Sequence, residues 1–181
     1  MSNASLYEYL RDHMRQNVVR SYLEIGTRDG DSLRVVLEEN AGALGSVWVA
    51  DLWGTDYGGT GRGNHQHIEQ LLDDFNFKGR RVFLDGNSRD TIPALMPEKA
   101  EAFDLVLVDG DHSVEGGMAD LVNTWPLVKP GGALAFHDIT HPAHPDLLET
   151  FDGFVRERRN SISAWRNILE PYGVGVVVKA Q

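Results

Sequence analysis

The sequence has no cysteine among its 181 residues, which excludes disulfides, thiolate metal sites and a cysteine nucleophile. It has no apolar run close to the roughly 20 residues of a membrane helix, and no basic segment followed by an apolar stretch that would mark a signal peptide. Positive charge is also scarce, because 17 Lys and Arg stand against 27 Asp and Glu and give a formal net charge of −10. We therefore expect a cytoplasmic protein that binds neither membranes nor nucleic acid, since nucleic-acid binding requires a basic face.

The rest of the composition is that of an ordinary globular chain. Hydrophobic residues make up 41% and charged residues 24%, which excludes wholesale disorder. No repeat or linker divides the sequence, so residues 1–181 are predicted to form one domain with its own core. Residues 1–4 are left out of the fold prediction, because Ser2-Asn3-Ala4 is typical of an expression-tag remnant. The longest basic run, residues 156–159, is interpreted as a solvated helix face.

Short β-branched runs alternate with amphipathic stretches, beginning with a predicted helix over residues 6–19. This alternation predicts a parallel sheet that is covered by helices on both faces. The last two strand-like runs, residues 161–169 and 173–179, are separated by a hairpin signal at Glu170-Pro171-Tyr172, so the last strand is expected to be antiparallel. The predicted strands of the parallel part are residues 21–25, 47–50, 81–84, 103–108 and 133–136.

Glycine or polar residues follow each of these five strands. Polar residues are expected where strands meet water, but a carboxylate at most of the ends favours a ligand site, because ligands of such sheets bind beyond the carboxyl ends of the strands. The ends are Glu24-Ile25-Gly26, Asp51, Asp85-Gly86-Asn87-Ser88, Asp109-Gly110-Asp111-His112 and His137-Asp138.

The first strand leads into residues 24–30, which have the form E-x-G-x-x-x-G. The glycines of this pattern allow a tight turn and a close approach of the backbone to a ligand. The middle glycine of the dinucleotide pattern is missing, which speaks against a nicotinamide-dependent oxidoreductase. A carboxylate at Glu24 suits a ligand with an ammonium or sulfonium group, and Asp51 can accept hydrogen bonds from both hydroxyls of a ribose.

With these strand ends, the sequence resembles the class I S-adenosylmethionine-dependent methyltransferases over about residues 21–179. The resemblance implies an α/β fold: a three-layer Rossmann-like methyltransferase fold with a mostly parallel seven-stranded sheet and an antiparallel last strand. Residues 109–115, followed by Phe136-His137-Asp138, are most similar to the small metal-dependent O-methyltransferases, which include catechol-type and sugar methyltransferases. The resemblance is carried by residues 23–30, 49–51, 103–113 and 127–132.

This resemblance implies S-adenosylmethionine as the cofactor and methyl transfer to a hydroxyl of a small sugar or phenolic acceptor. Asp51 would bind the ribose, and Ser88 would contact the adenine together with its neighbours Asn87 and Arg89. The methionine moiety would lie against Glu24, Gly26 and Gly30. The implied cofactor residues are Glu24, Gly26, Thr27, Gly30, Asp51, Leu52, Asn87, Ser88 and Asp109.

Methyl transfer needs an acceptor oxygen that is in line with the methyl group and preferably deprotonated. A divalent cation can lower the pKa of the acceptor, or a base can remove its proton. In the metal-dependent subgroup the ligands lie at the positions of Asp109, His137 and Asp138, although the position of His137 usually carries a carboxylate. The expected cation is Mg or Mn, although an imidazole ligand favours manganese, iron, zinc or nickel over magnesium, and a site without a metal is the alternative.

By the same resemblance, His112 or Asp111 is the catalytic base. The alternative for His112 is that it caps or buttresses the helix that starts at Ser113. The alternative for Asp111 is that it is a carboxylate at the helix start, where the helix dipole favours it. A protein that binds the cofactor without catalysis is the rival hypothesis, and a homodimer is an expectation for the assembly. The Gly-rich segment 54–63 is either a lid over the site or a plain connection. Aromatic and histidine side chains that could border the site are Trp53, Tyr57, His65, His67, His141 and His144, with an exposed polar loop as the alternative for the last two.

Overall fold

Helices and strands alternate along the chain in the computed structural model, which describes residues 3–53 and 64–181. Within these two ranges, every helix falls short of the length and apolar character needed to cross a bilayer. The helices are α1 (Ala4–Gln16), α2 (Asp31–Asn40), α3 (His65–Asp74), α4 (Ser88–Thr91), α5 (Val114–Thr124) and α6 (Leu147–Glu157). The strands are β1 (Ser21–Ile25), β2 (Ser46–Asp51), β3 (Arg80–Asp85), β4 (Phe103–Val108), β5 (Val128–His137), β6 (Ile162–Ile168) and β7 (Val174–Lys179).

The seven strands form one sheet in the order β3-β2-β1-β4-β5-β7-β6. Strands β1 to β5 pair in parallel, whereas β7 runs antiparallel to both of its neighbours. The predicted three-layer Rossmann-like fold with an antiparallel last strand is therefore confirmed. The position of β7 is a finding of the structure: it lies between β5 and β6, because the hairpin returns the chain to β5, where Phe136 pairs with Gly175.

Alternate residues of the central strands enter two separate hydrophobic cores. In β4, Leu105 and Leu107 join one core, and Val106 and Val108 join the other, because successive side chains of a strand point to opposite faces of the sheet. Helices α1, α2 and α3 cover the first core, and α5 and α6 cover the second. Burial on both faces explains why β4 reads as an almost continuous apolar run.

The structure differs from the sequence prediction in three elements. Helix α6 is missing from the prediction, although its buried residues Leu147, Phe151 and Phe154 follow a helical spacing. Strand β5 begins at Val128 rather than at Ala133, with an irregular register against β4. Helix α1 begins inside the excluded N-terminal segment and ends at Gln16. That residues 1–181 form one domain stays a prediction.

The sheet has its switch point between β1 and β4. From β1 the chain moves outward through β2 to β3, and it then returns to the other side of β1 to form β4. The loops that leave the carboxyl ends of β1 and β4 therefore part in opposite directions, which opens a crevice between them. The backbone closes the floor of this crevice, since the amide of Asp109 donates to the carbonyl of Ile25 at 2.9 Å.

Candidate functional site

A cavity of about 840 Å³ opens at this switch point. It extends from the end of β3 across β2 and β1 to the ends of β4 and β5, as the strand-end rule predicts. Two predicted cofactor residues, Glu24 and Gly30, are not part of its lining. The predicted site residues that do line it are Gly26, Thr27, Asp51, Leu52, Asn87, Ser88, Asp109, Asp111, His112, His137 and Asp138.

The turn after β1 requires glycine at Gly26. This residue has a φ of +83°, and a Cβ there would collide with the backbone oxygen of Asp109. Gly30 also has a positive φ, +79°, but a Cβ there would meet the side chains of Ile68 and Leu71 at 2.8 Å. Gly30 thus allows the start of α2 to approach α3, and it lies outside the cavity lining, while its role toward the cofactor stays a prediction.

Glu24 is fully buried beneath the cavity floor, with 0% of its surface exposed. Its carboxylate accepts a hydrogen bond from the hydroxyl of Tyr22 at 2.9 Å and another from the hydroxyl of Ser32. Burial raises the pKa of Glu24 to about 8, and the charges of Asp109 and Asp51 act in the same direction. Glu24 thus lies behind Ser32, which does line the cavity, and its contact with a ligand stays a prediction.

Asp51 lies at the end of β2 and fixes the neighbouring backbone. Its Oδ2 accepts from the amide of Arg28, and its Oδ1 accepts from the amide of Trp53, each at 2.8 Å. Each carboxylate oxygen can accept a further hydrogen bond. Asp51 is thus held in one orientation at the cavity wall and keeps the capacity to bind two hydroxyls.

Two carboxylates and an imidazole converge where β4 and β5 end. Nδ1 of His137 lies 3.0 Å from Oδ1 of Asp109 and 3.5 Å from Oδ1 of Asp138. One ligand atom from each of the three residues lies within 4.8 Å of the others, a spacing that could hold a metal ion. Burial raises the pKa of Asp109, but the charge of His137 and hydrogen bonds to both histidines outweigh burial and lower this pKa to about 2.

His112 completes this group from the loop before α5. Its Nε2 lies 3.4 Å from Oδ1 of Asp109 and 3.1 Å from Oδ2 of Asp138. Burial lowers the pKa of His112, but these two carboxylates outweigh it and raise the pKa to about 10. With both carboxylates free, His112 is therefore an imidazolium at neutral pH, and in that state it cannot accept a proton.

Asp111 is held at the start of α5. Its Oδ1 accepts from the amide of Ser113 at 2.8 Å, and its Oδ2 lies 3.4 Å from the guanidinium of Arg89. Arg89 also reaches Glu115 at 3.0 Å and is not part of the cavity lining, so its expected contact with the adenine is not seen in this arrangement. The helix-start interpretation of Asp111 is thus compatible with its place at the cavity.

Imidazole and phenol rings line the cavity beyond Asp138. The ring of His144 stacks on that of His112 with a centroid distance of 4.8 Å, and His141 lies 4.1 Å from the ring of Tyr172. All four residues line the cavity. His141 and His144 therefore border the cavity, and their contact with an acceptor or a metal stays a prediction.

The other ring residues lie beside the cavity. The indole of Trp53 donates to Asp85 at 2.6 Å, and His65 stacks on Phe83 with a centroid distance of 3.7 Å. Nε2 of His67 lies 3.2 Å from the backbone oxygen of Asp29. The predicted lid, residues 54–63 with Tyr57, lies outside the described residues.

The comparisons with known proteins agree with this geometry. A family model described as "Methyltransferase domain" matches residues 23–139, which include most of β1, all of β4 and most of the cavity lining. The chain belongs to this family. The predicted family and the prediction that the protein is a methyltransferase are thereby confirmed, while no curated protein sequence matches the chain significantly.

Solved structures show the same methyltransferase fold at low sequence identity. A candidate caffeoyl-CoA O-methyltransferase from Staphylococcus aureus superposes with a TM-score of 0.71 at 14% identity, over 99% of this chain and 85% of that one. The SAH-bound Podospora anserina methyltransferase PaMTH1 gives 0.70 at 14% identity, over 100% and 80%. The Streptomyces achromogenes O-methyltransferase TomG, solved with SAM, gives 0.67 at 18% identity, over 98% and 81%.

Several residues of this methyltransferase cavity are missing from the sequence prediction. Leu6 and Tyr7 of α1 form part of its wall, and Ser32 links the wall to Glu24. A helical stripe does not reveal that α1 borders a ligand site, because its apolar positions look the same as those of a core helix. Asp120, on α5, is fully buried behind the wall, and an isolated aspartate in a helix carries no sequence signal for that position.

Proposed function

We propose that the protein transfers a methyl group from S-adenosylmethionine to a hydroxyl of a small acceptor, a phenol or a sugar. One observation carries the proposal: in a chain of the methyltransferase family, Gly26, Asp51 and Asp109, from three different strands, line the same cavity. A small acceptor, rather than nucleic acid, suits a chain with a net charge of −10.

The proposed cofactor spans the cavity from β3 to β4. Ser88 and Asn87 lie at the end that would take the adenine, Asp51 would accept from the ribose hydroxyls, and the backbone at Gly26 leaves room for the methionine moiety. Asp109, with its pKa lowered to about 2, supplies a permanent negative charge near the other end. A sulfonium and an ammonium group are both stabilised by such a charge.

Asp109, His137 and Asp138 are the residues that would hold a divalent cation in this proposal. Their donor set fits one, because it offers two carboxylates and an imidazole, and the buried Oδ1 of Asp138 has no hydrogen-bond partner in the described part of the chain. The imidazole favours a transition-metal ion over Mg. A bound cation of this kind lowers the pKa of a coordinated hydroxyl.

His112 and Asp111 are the residues proposed to hold the proton of the acceptor. Both line the cavity beside Asp109, and His112 is the better placed, since Asp111 is already tied to Ser113 and Arg89. His112 can accept a proton once the two carboxylates that raise its pKa are neutralised by another positive charge. The rings of His141 and His144 would then border the acceptor.

A metal-independent reaction is the second candidate, and the position of His112 favours it. The imidazolium lies 3.4 and 3.1 Å from the two carboxylates, where it already supplies the positive charge that a cation would bring. In this alternative His112 orients the acceptor oxygen by donating a hydrogen bond to it, and catalysis consists mainly of positioning.

Calorimetric titration of the full chain with S-adenosylmethionine and S-adenosylhomocysteine tests the proposal. We expect saturable binding of both, and Asp51→Ala should weaken it at least about tenfold because the ribose loses its acceptors. Asp74→Ala, which removes an exposed carboxylate of α3, is the control and should bind normally. Absence of binding by the unmodified protein would refute the proposal.

Turnover separates the two mechanisms. Methyl transfer to phenolic and sugar acceptors is measured before and after removal of divalent ions with a chelator, and again after Mn or Mg is added back. Loss and recovery support the metal site at Asp109, His137 and Asp138, whereas unchanged turnover supports the metal-independent alternative. Cofactor binding without turnover on any acceptor would support the non-catalytic hypothesis.

A further inference from the structure

A buried carboxylate that the proposed reaction does not use lies directly behind the cavity wall. Asp120 of α5 has 0% of its surface exposed. Its Oδ1 accepts a hydrogen bond from the hydroxyl of Ser88 at 2.6 Å, and a backbone hydrogen bond from Asp111 also reaches the carboxylate. A buried carboxylate is costly unless hydrogen bonds hold it, and one of those that hold Asp120 comes from Ser88, a residue of the cavity lining.

Asp120 fixes the direction of the hydrogen bond between the two side chains, with the hydroxyl of Ser88 as the donor. Burial raises the pKa of Asp120 to about 6, so at pH 8 the carboxylate is ionised and can only accept hydrogen bonds. The hydroxyl of Ser88 must then donate to Asp120, and its oxygen is left with lone pairs alone. Because Ser88 is only partly buried and lines the cavity, this oxygen offers the ligand an acceptor and no donor.

An acceptor at this place distinguishes purine nucleosides by their exocyclic group. Where the exocyclic group of the purine faces Ser88, the amine of adenine donates a hydrogen bond to it, whereas the carbonyl oxygen of hypoxanthine can only accept one and meets its lone pairs. At N1 the preference is the reverse, because N1 accepts in adenine and carries a proton in hypoxanthine, so tighter binding of the hypoxanthine compound overturns the inference. We propose that Asp120 is a positioning residue that makes the site select nucleosides with an exocyclic amine over those with a carbonyl. This inference rests on the proposed function, because it requires a nucleoside at the Ser88 end of the cavity.

The test compares S-adenosylhomocysteine with S-inosylhomocysteine, its deaminated analogue, by calorimetry at pH 8. We expect the unmodified protein to bind the adenine compound about tenfold to a hundredfold more tightly. In Asp120→Asn the side-chain amide can donate to Ser88, which frees the hydroxyl to donate to a carbonyl. The ratio of the two affinities should then fall at least about fivefold, a change that loss of stability alone does not produce.

Two further variants make the test decisive. Ser88→Ala removes the acceptor itself, and it should lower the ratio by a similar factor even if Asp120→Asn does not fold. Asp104→Asn removes a half-buried carboxylate that binds Lys129 at 2.7 Å near the amino end of β4, away from the cavity, so it should lower stability and leave the ratio unchanged.

The failures of the two proposals are distinguishable. If the unmodified protein binds neither compound, the proposed function is wrong and this inference is overturned with it. If it binds both compounds equally, or if folded Asp120→Asn or Ser88→Ala keeps the original ratio, the cofactor proposal stands and the role of Asp120 is overturned.

Discussion

Replacing Glu24 by glutamine should stabilise the protein at high pH. The folded protein keeps the proton on Glu24 up to about pH 8, because the carboxyl group is fully buried, whereas an unfolded chain loses it near the ordinary value of 4.5. Between these pH values the folded state binds more protons, so the stability of the unmodified protein falls as the pH rises. Glu24→Gln keeps the shape of the side chain and removes this titration.

The size of the effect follows from the pKa shift. Each pKa unit corresponds to about 1.4 kcal/mol, so a rise from 4.5 to about 8 makes the ionised carboxylate roughly 5 kcal/mol less stable in the folded than in the unfolded state. Much of this cost develops between pH 5 and pH 8. Over that interval the free energy of unfolding of Glu24→Gln should gain about 3 kcal/mol on that of the unmodified protein, or roughly 10 °C in Tm for a chain of this size.

Urea denaturation at pH 5, 6, 7 and 8 measures this difference directly. Glu8→Gln, the same substitution at an exposed position of α1, is the matched control and should leave the two pH profiles parallel. Parallel profiles for Glu24→Gln as well would show that Glu24 is ionised in the folded protein, and they would refute the assignment of a neutral, buried carboxyl beneath the cavity.

Two further predictions concern the turn after β1 and helix α1. Gly26→Ala places a Cβ against the backbone of Asp109 at a φ of +83°, so it should lower stability by several kcal/mol and abolish cofactor binding. The control is Gly42→Ala, whose Cβ meets nothing within 4 Å and which should change stability by less than about 0.5 kcal/mol. Denaturation measures the stability of both variants, and calorimetry measures their cofactor binding. Burial lowers the pKa of His13 to about 4, so the folded state binds fewer protons between pH 4 and 6.5 and the protein loses stability as the pH falls through that range. His13→Gln should remove about 2 kcal/mol of this loss, and the exposed His67→Gln should not, as measured by thermal denaturation at pH 7 and 4.5.

The strands could be predicted well because buried strands leave short hydrophobic or β-branched runs in the sequence. The predicted bounds of β1 and β4 match the structure, since both strands are buried and are followed directly by a glycine or an aspartate. Helix α6 escapes prediction because Asp152 and Gly153 interrupt a helix whose stability comes from packing Phe151 and Phe154 into the second core. Pairing of β7 with β5 likewise depends on contacts that are distant in the sequence.

The strand ends that border the cavity could be predicted from the sequence, but the side-chain hydrogen bonds around it could not. The strand-end rule places Asp51 and Asp109 at one cavity, because the sheet order alone brings their strands together. It does not show that Glu24 is buried beneath the floor, since a carboxylate at the end of a strand can point either into the crevice or away from it. The link from Asp120 to Ser88 joins residues that are 32 positions apart, and only the packing of α5 against α4 creates it.

The charge of the cavity favours binding of the proposed methyl donor over binding of its product. Six carboxylates line it, from Asp29, Asp31, Asp51, Asp109, Asp111 and Asp138, and they outnumber the positive charges of Arg28 and of the His112 imidazolium in the described lining. A field of this sign attracts a ligand that carries a sulfonium and an ammonium group. Transfer of the methyl group turns the sulfonium into a neutral thioether, so the product loses one favourable interaction that the substrate had. Binding of S-adenosylmethionine should therefore weaken more steeply with added salt than binding of S-adenosylhomocysteine, because screening acts on the additional charge.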